Sequence, residues 1–165
     1  MTTGRQPNER EGILVTGAMG RIFTAKLAPD AVYFYFEGHI EEEWFESTMT
    51  FANDVLRSGA ARLYGDGGKW KTYASGYRGA WTTWFTKNRA KLTHTYLVAG
   101  SPVIRMGIQV VNLFATNAIH ALAKSDELYR IMKKDVPRMR EVAAEWPAEI
   151  ATHIRGTGAL YRTIV

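Results

Sequence analysis

The stretch DGGKWKTYASGYRGAWTTWF, Asp66 to Phe85, decides how this chain is read. It opens as a glycine turn, passes Lys69 and Lys71, sets Ser75 beside Gly76, and then turns helical. Tyr77, Ala80, Trp81, Trp84 and Phe85 recur at the spacing of one helix face, while Arg78, Lys87 and Arg89 fall on the other. Just upstream, ARLYGD has the make-up of a short strand ending in Asp66. A hydroxyl at the start of such a helix is a cap for its free N–H groups, an acceptor for phosphate or a ligand contact.

Working outward, GRIFTAKLA and AVYFYFEG, separated by Pro29 and Asp30, read as an antiparallel hairpin. From Glu41 to Leu56, Phe45, Met49, Ala52 and Leu56 keep helical spacing behind three glutamates, whose charge suits a helix N-terminus, and Ser58-Gly59 stops the run. THTYLVAG is a further strand. SPVIRMGIQVVNLFA starts with serine at a cap and proline at the first helical position, and its apolar residues surround nearly the whole circumference. NAIHALA reads as a last strand, SDELYRIMKK as a helix capped by Ser125, and DVPRMREVAAEWPAEIATHIRG as an extra helix broken near Pro147. The alternation predicts an α/β fold: a mostly parallel sheet of about five strands with an N-terminal antiparallel hairpin, and helices packed on the sheet.

The 165 residues, 46% hydrophobic and without a proline-rich or serine-rich linker, predict one compact domain. No cysteine is present, which excludes disulfides, zinc–thiolate sites and thiol catalysis. The opening MTTGRQPNEREG is too polar to offset its ordering entropy, so residues 1–12 are expected to be a mobile tail, and without a basic-then-apolar leader the expected location is cytoplasmic. The net charge of +5 is spread from Arg5 to Arg162 rather than massed, so no nucleic-acid partner is expected. The apolar run after Pro102 is short of the roughly 20 residues that span a bilayer, so no transmembrane segment is expected.

His39, His94, His120 and His153 stand singly, so no metal site is expected. GAMGR lacks the third glycine of a dinucleotide fingerprint and precedes a strand rather than a helix. Trp70, Trp81 and Trp84 beside Lys69, Lys71 and Arg78 have the composition of a base-stacking surface, but the helical spacing of Trp81 and Trp84 assigns them to a core. No serine–histidine–acid set, carboxylate pair or phosphate loop is visible, and neither catalysis nor a cofactor is expected.

From Arg21 to Lys134, the hairpin, the glycine-ended strand YFYFEGHI and the strand–loop–serine–helix element resemble the STAS superfamily, and more closely its SpoIIAA-like branch of anti-sigma factor antagonists. The resemblance implies a STAS-like domain at 13–134 followed by a helical extension at 135–165. It also implies that Ser75, nine positions after Asp66, corresponds to the serine that a partner kinase phosphorylates. Ala74 replaces the second aspartate of that pattern and Tyr77 its glycine. Asp66, Lys69, Lys71, Gly76 and Arg78 would then contact the anion or the partner.

The implied function is a non-enzymatic interaction module in signalling or regulation. It would dock a protein such as a kinase or an anti-sigma-like regulator, and it would be able to pair with a second copy. The alternative is a small-molecule or lipid-binding domain of Sec14-like type, with PVIRMGIQVVNLF lining an apolar cavity. Val103, Ile104, Ile108 and Val111 are the expected interface residues on the all-round apolar helix, covered either by the C-terminal helix or by a second copy.

Overall fold

The architecture was obtained as a computed structural model that describes residues 12–137 and 161–164. Strands β1 (Gly12–Thr16), β2 (Gly20–Ala28) and β3 (Ala31–Ile40) form an antiparallel meander. A 3-10 turn at Glu42–Trp44 and two helices, α1 (Phe45–Thr48) and α2 (Thr50–Ser58), lead to β4 (Ala61–Tyr73). Then follow α3 (Ser75–Asn88), β5 (Leu92–Ala99), α4 (Pro102–Phe114), β6 (His120–Leu122), α5 (Ser125–Asp135) and β7 (Tyr161–Ile164). The sheet order is β6-β5-β4-β3-β2-β1-β7, and four of its six pairings are parallel.

The α/β class and the β2–β3 hairpin agree with the sequence reading; the strand count does not. Among the described residues the sheet has seven strands rather than about five. GILVT, next to the polar opening, is β1, and Gly12, assigned to the tail, already belongs to it. Tyr161–Ile164, placed by the sequence reading in a helical extension, pairs in parallel with β1. The rest of the tail and the helix expected near Pro147 lie outside the described residues.

Asp66 does not end its strand. β4 runs seven residues further, because Gly67 and Gly68 continue the ladder against β3 through register shifts instead of turning. Across those shifts Gly38 sits at φ +72°, and a Cβ there would strike the carbonyl oxygen of Met19 in the β1–β2 turn. Only glycine fits that backbone without strain.

Two hydrophobic clusters flank the sheet. One packs the inward residues of α2, α3 and α4, among them Phe51, Val55, Tyr77, Phe85, Ile104 and Ile108, onto Phe34, Phe36 and Leu63. The other packs Leu128, Tyr129 and Met132 of α5 onto Tyr33, Tyr64 and Val98. Charged side chains fasten helix to sheet at the rim: Lys26 pairs with Asp54 of α2 at 2.9 Å, and Arg62 donates a hydrogen bond to the Asp135 backbone carbonyl at the end of α5.

Helix starts separate the three serines. Ser101 is the N-cap of α4, its hydroxyl accepting from Ile104 N at 3.3 Å and donating to the Lys71 carbonyl at 3.1 Å. Ser75 and Ser125 are the first residues of α3 and α5, with Ala74 and Lys124 in the cap positions and no side-chain cap bond at either helix. Their expected capping role is therefore corrected. We expect Ser101→Ala to lower unfolding free energy by about 1 kcal/mol, the usual loss for a cap. Ser75→Ala should stay within about 0.5 kcal/mol, as at an ordinary surface position. Chemical denaturation of both variants checks the pair.

Candidate functional site

The residues singled out around Ser75 are not brought to one place. Asp66 points to the α5 side of the sheet, where it is 2% exposed, whereas α3 packs on the opposite side. Its carboxylate accepts from Ser125 Oγ at 2.8 Å, from the Gly68 N–H at 3.0 Å and from the Tyr129 hydroxyl at 2.7 Å. Tyr129 has one proton and gives it to Asp66, so Tyr33, 2.6 Å away, donates to Tyr129. The result is a relay of hydroxyls ending on a buried charge. A Cβ at Gly68 would come 2.7 Å from Ser125 Oγ, so this approach of helix to strand depends on glycine.

Burial first, and then the neighbouring Tyr33 and the Asp66 charge, push the Tyr129 phenol far above its usual range. Burial followed by Asp66 does the same to Tyr33. No sequence pattern announced this network; an aspartate inside a strand, ahead of two glycines, was the one available sign.

Ser75 is exposed, and the N-terminus of α3 beside it already has an anion. The Glu42 carboxylate packs onto Gly76, in the space a side chain there would take. A negative charge at that point suits the helix dipole and would repel a phosphate on Ser75.

Lys69 and Lys71 are exposed at the far end of β4, in an open groove that they share with Met19, Gly38 and Ser101. Part of the Lys69 charge is answered by Glu37. Burial works to raise the Glu37 carboxyl, but the Tyr35 hydroxyl, the Arg21 guanidinium and, last, Lys69 hold it below the usual carboxylate range.

Arg78 belongs to another feature. Between β3–β5 and the helices α3 and α4 lies an apolar cavity of about 50 Å³, walled by Phe36, Trp70, Trp81, Phe85 and Ile108. Arg78, half-buried, lines it, and its guanidinium has no hydrogen bond or ion pair among the described residues. Thr95 lines it too, 8% exposed, with a hydroxyl that meets no partner. The Trp81 indole N–H acts on the Tyr77 phenol but finds no acceptor at hydrogen-bond geometry. Trp84 is a core residue as expected, Trp81 packs half-buried against the same core, and Trp70 is buried in it as well.

The expected interface is corrected by packing. Ile104, Ile108 and Val111 are 2%, 5% and 4% exposed and face the core, and of the four only Val103 is turned outward. The outer face of α4 consists instead of Val103, Met106, Leu113 and Phe114, with half-buried Val110 between them.

Among the described residues no group of three or more His, Asp or Glu is placed to hold a metal ion, and no helix is long and apolar enough to cross a membrane. No protein-family model and no curated protein sequence matches the chain.

The tyrosine relay makes a pH prediction. In the unfolded chain Tyr33 and Tyr129 lose their protons near the ordinary value of 10.0, while the folded protein retains them to higher pH. Stability from this source is therefore full below about pH 10 and falls above it. We expect denaturation midpoints to drop with pH in that window. Tyr129→Phe should make the decline shallower by up to one proton, about 1.4 kcal/mol per pH unit.

Proposed function

We propose that this protein is a non-enzymatic interaction module of STAS-like, SpoIIAA-like type, acting in signalling or regulation by docking a protein partner on the outer face of α4. One observation carries the reading. Met106, Leu113 and Phe114 are 57%, 82% and 66% exposed on a single helix face, next to Val103. Soluble chains rarely leave such a contiguous apolar patch to water, and those that do use it for contacts. The element order, with an antiparallel opening, then strands and helices alternating on a parallel sheet, supports the STAS-like part. Docking through α4 needs no phosphate on Ser75, which accords with the carboxylate already at that helix start.

A photo-crosslinking residue at Leu113 of the full chain in cells tests the proposal, with Arg130, exposed on α5, as control. We expect protein adducts from Leu113 at least about tenfold above those from Arg130, and their loss on adding Met106→Glu, since hot spots on such patches carry most of the contact energy. Absence of any protein adduct at Leu113, a second copy included, overturns the reading.

The cavity favours a second reading, a small-molecule or lipid-binding domain. An arginine without an ion pair among the described residues, beside an aromatic-walled space, suits a ligand with a slender apolar body and one anionic group, such as a medium-chain fatty acid, for which the rings around the cavity of about 50 Å³ would have to move apart. Octanoate should then change the tryptophan fluorescence in a saturable way, while octanol and the Arg78→Gln variant should bind about tenfold more weakly, the worth of one charge-assisted bond. Equal responses to acid and alcohol would remove this reading.

A further inference from the structure

The outer face of α4 has an order of its own. Its apolar residues are Pro102, Val103, Met106, Val110, Leu113 and Phe114. The steps from Val103 through Met106 and Val110 to Leu113 are three, four and three residues, the alternation that forms a straight seam along a helix. The set is also palindromic about position 108. Pro102 and Phe114, Val103 and Leu113, and Met106 and Val110 each lie equally far from that centre. A helix laid antiparallel on a copy of itself, with the two-fold axis level with Ile108, brings each of these residues level with its mirror member.

We propose that α4 is a self-pairing surface, and that the partner it fits best is the α4 of a second copy, antiparallel and in this register. The inference rests on the docking reading of α4 and specifies the occupant.

Side-chain size selects the direction. The N-terminal end of the seam has the small pair Pro102 and Val103, and the C-terminal end the large pair Leu113 and Phe114. Antiparallel pairing sets small against large at both ends, so the two helix axes stay evenly spaced. Parallel pairing would crowd Leu113 and Phe114 against themselves at one end and leave a gap at the other. The dipoles of the two helices also oppose each other only in the antiparallel arrangement. Arg105 is the only charged residue on α4, so no buried charge stands in the seam to be desolvated.

The extent of the patch sets the strength. A pair of 13-residue helices meets over about 20 Å. An exposed apolar face of this kind is on the order of 300–600 Å² per copy. Doubled, it reaches the lower end of specific interfaces, at roughly 1,000 Å², so the pairing is weak and depends on concentration.

The chain has no cysteine, which makes the register readable by disulfide trapping. Full-length Val103→Cys and Leu113→Cys, given different mass tags, are mixed under mild oxidation at rising concentration. Light scattering on the unmodified chain runs in parallel. We expect the mixed 103–113 disulfide to exceed both like-with-like products at least about fivefold, and Met106→Glu to abolish it. The scattering mass should rise from 18.6 kDa towards twice that value. Excess of like-with-like disulfides overturns the antiparallel register, and a constant monomer mass with no trapped dimer overturns self-pairing altogether. In the second case protein adducts at Leu113 would keep the docking reading and assign the face to another protein, whereas their absence would remove both. Circular dichroism of each variant separates lost pairing from lost fold.

Discussion

The carboxylate of Asp66, inside this sheet, meets no basic partner among the described residues. Asp66 is surrounded by apolar side chains and neutral hydroxyls, and a charge in such a place costs several kcal/mol unless its lone pairs are filled. They are filled by a strand N–H and by two hydroxyls of α5, and both hydroxyl bonds require α5 to lie in one position along the strand. Apolar packing of Leu128 and Met132 alone would tolerate a shift by a turn. The polar contacts do not. At the other end of the helix, Asp135 accepts from the Tyr64 hydroxyl at 2.8 Å, so α5 is fixed at both ends by directional bonds and in between by its apolar stripe.

The opposite face follows another rule. There the filling is aromatic, with Phe36 stacked on Trp70 at 4.2 Å between ring centres and Trp81 stacked on Phe85 at 5.3 Å. Large flat rings pack with fewer specific bonds and leave irregular space between them, which is where the cavity and its unpartnered Thr95 hydroxyl arise. The two faces thus divide the labour: one sets the register, and the other holds the helices whose outer surfaces meet whatever lies outside.

Much of the fold was legible because local chemistry and tertiary packing agree. Ser101-Pro102 starts α4 where cap and proline rules place it, and the β2–β3 hairpin follows from two strand-forming runs around Pro29-Asp30. The failures occurred where they disagree. Gly67-Gly68 has the composition of a turn, yet both glycines continue a strand because α5 and the end of β5 come too close for a Cβ. Ser75 and Ser125 look like caps, but each helix starts one residue earlier than that role requires, and Ser125 is taken by Asp66. For α4 the sequence could not choose a face. Apolar residues all round one helix are equivalent until a sheet covers some of them, and three of the four taken for an interface, Ile104, Ile108 and Val111, are those the sheet covers.

The pairing of β1 with β7 has a consequence in time rather than in energy. Residues 12–16 and 161–164 are neighbours across the sheet although they stand at opposite ends of the described residues, so the loop they close is the longest among those residues. Loop-closure entropy and high contact order make such a strand a late arrival. Until it arrives, β1 presents an open row of backbone donors and acceptors in an apolar strand, the kind of edge that adds strands from other chains. On a ribosome that interval lasts through the synthesis of every element between them, and β7 ends it.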